Sequence, residues 1–141
     1  MARNETNRSK YIKVSDHSAA STAAVTSIIV DTAGYQGVVF LTSFGTANAT
    51  NTAKVQGSAT NATDDMADLT GTSITSGSSD EDLIVEIHKP QQRYVQLVVA
   101  RGASSTLESI WAQLYGGDPA SASLTGTRVA ELNVSPAAGT A

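Results

Sequence analysis

The clearest order in the chain is a two-residue alternation of apolar and polar positions in its last third. In Asp82–His88 (DLIVEIH), Leu83, Val85 and Ile87 fall on one side and Glu86 and His88 on the other. Arg93–Arg101 (RYVQLVVAR) gathers Val95, Leu97 and Val99, and Ser109–Tyr115 (SIWAQLY) sets Ile110, Ala112 and Leu114 against Trp111, Gln113 and Tyr115. A period of two is the signature of a strand with one face in a core. Lys89–Gln92 (KPQQ) reads as a turn, because Pro90 cannot donate to the ladder of a central strand. Gly102–Thr106 turns the chain again, and Gly116-Gly117-Asp118-Pro119 ends the last strand.

Upstream the strands are shorter or less regular. Val25–Asp31 (VTSIIVD) is rich in β-branched residues, and Gly37–Phe44 (GVVFLTSF) is apolar on both faces near its start. The second pattern fits a strand covered on both sides, by layers of one domain or by subunits. Lys54-Val55-Gln56 forms a short strand, Met66–Leu69 a short strand or single turn, and Gly71–Asp80 an exposed loop. No amphipathic helix of ten residues appears. Seven or eight short strands spaced about 8–15 residues apart predict an all-β fold, a single β-sandwich. A jelly roll is favoured over an immunoglobulin-like sandwich. The expected layout is an N-terminal arm over 1–24, in which Tyr11–Val14 could add a strand. A sandwich over 25–118 and a C-terminal arm over 119–141 complete it.

Composition narrows the picture. Of 141 residues 40% are hydrophobic but only 5% aromatic, and Ala, Ser and Thr supply 55, so the predicted core is thin. Charged residues are 16% and the net charge is −4, which argues against a general nucleic-acid binder. No cysteine is present, which excludes disulfides, thiolate metal sites and cysteine catalysis. No apolar run nears the roughly 20 residues that cross a bilayer, and no signal-peptide core follows Met1. No membrane partner is therefore expected. Sequons at Asn4, Asn7, Asn48, Asn61 and Asn133 are what so Asn-, Ser- and Thr-rich a chain gives by chance.

Candidate chemistry is sparse. The histidines are His17 and His88. Asp16-His17-Ser18 has the letters of a hydrolase triad, but sequence neighbours do not converge their side chains as a triad requires. Gly71-Thr72-Ser73 lacks the lysine and helix of a phosphate loop. Asp64, Asp65 and Asp68, then Asp80, Glu81 and Asp82, supply six carboxylates, yet neither group has the spacing of a calcium loop. They read as solvated loops, and no cofactor, metal or enzymatic activity is expected. Trp111, Tyr115 and Tyr94 are expected to fill the core or a subunit interface, with sugar stacking the lesser alternative.

The terminal segments point to a partner. Arms of small polar residues bury too little to offset about 1–2 kcal/mol of backbone entropy per residue, so they read either as frayed termini or as segments held by another protein chain. Arg3, Arg8, Lys10 and Tyr11 are the expected contacts of the first arm, with residues 1–13 dispensable for the fold. Val129, Leu132 and Val134 are those of the second.

The segment DLIVEIHKPQQRYVQLVVARG followed by SIWAQLYGG resembles a family of small tailed-phage virion proteins found with capsid genes. That family shows a strand, a Lys/Arg-Pro turn, an Arg-Tyr-Val strand and a Gln-x-Tyr-Gly-like strand in this order. The matching positions are Pro90, Arg93-Tyr94-Val95, and Trp111 with Gln113-Leu114-Tyr115-Gly116. The likeness spans residues 25–117 in layout and 82–117 in recognisable words, and its motifs are structural. It implies a capsid cement or decoration protein on the outer surface of the phage head, made in the host cytoplasm. Its implied partners are the major capsid protein and further copies of itself, often as a trimer. A head–tail connector, a tail protein and a carbohydrate-binding module are the alternatives.

Overall fold

A computed structural model gives the fold, and it describes residues 8–117. The expectations for Arg3, Val129, Leu132, Val134 and the segment 119–141 lie outside the described residues. The fold is an all-β sandwich of two antiparallel sheets.

The strands are β1 (Lys10–Ser15), β2 (Ser18–Ser21), β3 (Val25–Thr26), β4 (Val30–Asp31), β5 (Gly37–Thr46) and β6 (Thr52–Ser58). After them come β7 (Ala67–Asp68), β8 (Ile74–Thr75), β9 (Asp82–His88), β10 (Tyr94–Ala100), β11 (Ser105–Leu107) and β12 (Ile110–Tyr115). Several are segments of one broken line. β11 and β12 both run along one side of β5, β1 pairs β12, and β2 pairs β11. In the second sheet β3 and β4 share β10, and β7 and β8 share β6. Counted as lines, the first sheet runs β1/β2, β11/β12, β5, β9, and the second β3/β4, β10, β6, β7/β8. Apart from the link between β6 and β7/β8, each line is followed in sequence by a line of the opposite sheet.

The core is the inner face of both sheets. Val38, Phe40 and Phe44 of β5, Leu83 and Val85 of β9, and Ile110, Ala112 and Leu114 of β12 meet Val55, Val95, Leu97 and Val99 from the other sheet. Each of these is under a tenth exposed, as the alternation requires. Thr42 is the polar residue on β5's inner face, and its hydroxyl donates to the Glu108 carbonyl at 3.1 Å. The buried donor is thus satisfied at the break between β11 and β12.

The domain begins earlier than residue 25. β1 pairs with β12 from Lys10↔Leu114 to Ser15↔Ile110, and Val14 is buried at 2% exposure. Residues 15–24 are not a free linker either. The Arg101 guanidinium, 9% exposed, donates to the carbonyls of Ala23 (2.7 Å), Ala19 (2.7 Å) and Ser105 (3.0 Å). Small residues at 18–24 let this backbone pass close enough to be held by one cation. The bland composition that read as an arm is what the clamp needs.

The turn behind Arg101 is fixed by a buried amide. Ala103 and Ser104 both have positive φ, 28° and 54°, a conformation that disfavours residues with a Cβ. Asn51, fully buried, accepts from the Gly102 N–H at 2.7 Å and donates to the Ser105 hydroxyl at 3.0 Å. The Ser105 hydroxyl donates to the Gly102 carbonyl at 2.5 Å. The closed ring of bonds holds both strained residues.

Two outcomes follow for stability. Phe40→Ala should lower unfolding free energy by about 3–5 kcal/mol, because its side chain is fully enclosed. Deleting residues 1–13 removes Lys10–Lys13 from β1 and should destabilise on the order of 3 kcal/mol or more. Urea denaturation followed by circular dichroism measures both. An unchanged midpoint for the deletion would show that β1 is not part of the cooperative fold.

Candidate functional site

The register that turns Val38, Phe40 and Phe44 inward turns Val39, Leu41 and Ser43 outward. Cross-strand pairing then builds rows over the outer face of the first sheet. One row is Lys13, Trp111, Leu41 and Ile84 on β1, β12, β5 and β9. The next is Tyr11, Gln113, Val39 and Glu86, and the third joins Tyr115, Gly37 and His88. Trp111 is 47% exposed, Leu41 44%, Ile84 56% and Tyr11 40%. Four large apolar side chains on adjacent strands form a contiguous patch, the feature that marks a surface meant to be covered.

The opposite outer face is different in kind. On the second sheet Gln96 donates to Gln56 at 2.9 Å and Gln56 to Asp68 at 2.8 Å. Lys54 donates to the other Asp68 oxygen at 2.7 Å. That line is polar, although the Oε1 of the buried Gln96 has no hydrogen-bond partner. Of the large apolar side chains exposed among the described residues, Tyr11, Leu41, Ile84 and Trp111 lie on the outer face of the first sheet, while Ile28, 60% exposed, lies between β3 and β4.

At one end of the apolar rows sits a polar trio. Gly37 has no side chain, and the Tyr115 ring crosses the gap it leaves; a Cβ there would collide with the phenol. The Tyr115 hydroxyl donates to Glu86 and lies 2.9 Å from His88 Nδ1, with the two rings nearly parallel at 6.2 Å. Because the phenol's proton goes to Glu86, His88 Nδ1 is the donor of the second bond. Burial, followed by the bond to Glu86 and its charge, pushes the Tyr115 phenol up to about 12.

The other sequence-predicted residues take structural places. Arg93 makes a two-pronged ion pair with Asp31 (Nε and Nη2 both at 2.9 Å) and lies 5.0 Å over the Tyr94 ring. That bond holds the Asp31 carboxyl below the usual carboxylate range. Pro90 and Arg93 line a shallow groove of about 550 Å³ with Tyr35 and Gln36. Lys10 is half-buried on β1, and the Arg8 carbonyl accepts the Gly117 N–H at 3.1 Å. The segments 1–7 and 118–141 therefore join the domain at one point, beside Tyr35, which packs against Gly117.

The letters of the triad stay apart in role. Asp16 is held by Lys13 at 2.6 Å, which lowers its pKa, and His17 Nδ1 faces Glu108 at 3.4 Å. Asp65 accepts from Thr60, Asp68 from Lys54 and Gln56, and Glu81 from Ser76. Among the described residues no three His, Asp or Glu side chains converge as a metal group, and no helix is long and apolar enough to cross a membrane.

The face was partly missed in the sequence. Trp111 and Tyr115 were singled out, but Trp111 stands on the outside rather than filling the core. Leu41 and Ile84 were not singled out, although the unbroken runs Val38–Leu41 and Leu83–Val85 carry their signal. In comparison with known proteins, no family model matches the chain, and no curated protein matches it.

Tyr115 gives a test of this geometry. A raised phenol pKa means the neutral form is favoured in the folded state. The associated stability is present below the unfolded value near 10 and is lost between about 10 and 12. In an ultraviolet pH titration, Tyr115→Phe should remove a phenolate step near pH 12, and Glu86→Gln should shift that step downward. A titration unchanged by Glu86→Gln would contradict the bond.

Proposed function

We propose that this chain is a structural virion protein, a capsid cement or decoration protein that acts by binding rather than catalysis. The observation that carries the reading is the exposed row Trp111–Leu41–Ile84 on the outer face of the first sheet. Such a row is unfavourable in water and becomes favourable once protein covers it. The resemblance of residues 82–117 to small phage virion proteins supplies the setting, the outer surface of a phage head. The strand order supports the jelly-roll form of the sandwich, in which successive lines alternate between sheets.

In this reading the domain is the rigid body and the terminal segments make the contact with the major capsid protein. Both leave from one corner, so one domain can engage a neighbouring shell subunit with two segments at once. Residues 118–141 span at most about 80 Å when extended, enough to cross a capsid subunit. Arg3 and Arg8 supply positive charge to the first contact, and Val129, Leu132 and Val134 supply apolar anchors to the second. Repetition over the lattice multiplies weak contacts. A sugar platform is less well supported, because the row neighbours of Trp111 are Leu41 and the Lys13 stem rather than a set of convergent polar groups.

Full-length protein mixed with undecorated shells should co-sediment to saturation. Deleting residues 1–7, which leaves β1 intact, should weaken shell binding at least tenfold with no change in melting temperature. Equal occupancy by the deletion variant would remove the first segment from the contact. Failure of the full chain to pellet with shells would overturn the cement reading.

A further inference from the structure

We propose that the outer face of the first sheet is a contact between two copies of this chain, packed face to face about a two-fold axis parallel to the strands. The inference rests on reading that face as a protein-docking surface, and it names the occupant.

Charge placement selects a second copy. The face runs in the order β1, β12, β5, β9, with its apolar centre on the two middle strands. Its β1 edge carries Lys13, and its β9 edge carries Asp82 and Glu86, all outward-facing. A two-fold axis along the strands lays the β1 edge of one copy over the β9 edge of the other. Row by row, Trp111 then lies over Leu41 of the second copy and Lys13 over its Ile84, flanked two residues to either side along β9 by Asp82 and by Glu86, and the arrangement occurs twice by symmetry. A two-fold axis across the strands would instead oppose Lys13 to Lys13 and acid to acid, which is unfavourable. The face is thus complementary to itself in one orientation. Lys13 is free to exchange partners, since its bond to Asp16 is between two exposed side chains and is worth little.

Area sets the strength. Four strands about 4.8 Å apart and seven residues at about 3.4 Å make a face of roughly 450 Å². Two such faces bury about 900 Å², roughly three quarters of the ~1,200 Å² at which stable specific interfaces begin, so the dimer is weak and Trp111 is its anchor. Weak pairing suits a protein concentrated on a lattice, where neighbouring copies meet at high effective concentration. The geometry also departs from the trimer that the family resemblance implies, since a two-fold face closes on itself after two copies.

The experiment is size-exclusion chromatography with light scattering on the full chain from about 10 to 200 µM, at low and high salt. The expected result is a mass rising from 14.5 kDa toward twice that value with concentration, less so in high salt. Trp111→Glu should weaken dimerisation at least tenfold while melting stays within a few degrees. Lys13→Glu and Asp82→Lys should each weaken it several-fold, and the double swap should restore it. A monomer at 200 µM, a dimer indifferent to Trp111→Glu, a trimer, or a double swap no better than either single change would each overturn the proposal. Shell co-sedimentation separates the two ideas. A monomer that binds shells defeats the dimer and leaves the cement reading standing, whereas a dimer that ignores shells does the reverse.

Discussion

The register of β5 is the constraint on which the rest of the structure depends. This ten-residue strand pairs with β12 and β11 on one side and β9 on the other, so it organises the whole first sheet. Its alternation decides at once what is core and what is surface. Val38, Phe40, Thr42 and Phe44 go in, and Val39, Leu41 and Ser43 go out. A slip of one residue would exchange the two sets, exposing both phenylalanines of the chain. Because Val39 and Leu41 are apolar, the register that completes the core also creates the uncovered face.

Polar clamps finish what a thin core leaves loose. With so few large side chains, the sandwich relies on specific bonds where its strand lines break. Thr42 seals the β11–β12 break against Glu108, and Ser27 donates to Ile28 while accepting the Leu97 N–H at the β3–β4 break. The Ile28 N–H reaches Val14 of the other sheet at 3.0 Å, tying the two sheets along one edge. Asn51 and Arg101 do the same for the turn after β10 and for residues 19–23. These breaks let long lines bend around a small interior without leaving backbone groups unpaired.

What could be read from the sequence follows the same physics. The alternations in 82–88, 93–101 and 109–115 gave the inner faces of β9, β10 and β12, because a period of two is unambiguous when one face is polar. β1 reads in the sequence only as the short alternation Tyr11–Val14 within an arm, since its burial depends on β12, about a hundred residues away. The clamp by Arg101 was illegible for the same reason: small residues at 18–24 look identical whether free or held. The outer face was half legible. A run apolar on both sides predicts a strand covered on both faces, but only the registers of β9 and β12 set Ile84 and Trp111 beside Leu41 on its exposed side.

In the working state proposed for this chain, protein rather than water covers the Trp111 face. Trp111 is the chain's single tryptophan, so its fluorescence reports that face without interference. The most direct measurement is its emission and acrylamide quenching across a protein dilution series and on addition of shells. The account predicts a half-exposed, readily quenched indole at low concentration, with a blue shift and protection as copies associate. Emission and quenching that stay the same from dilute protein to the fully assembled particle would contradict it.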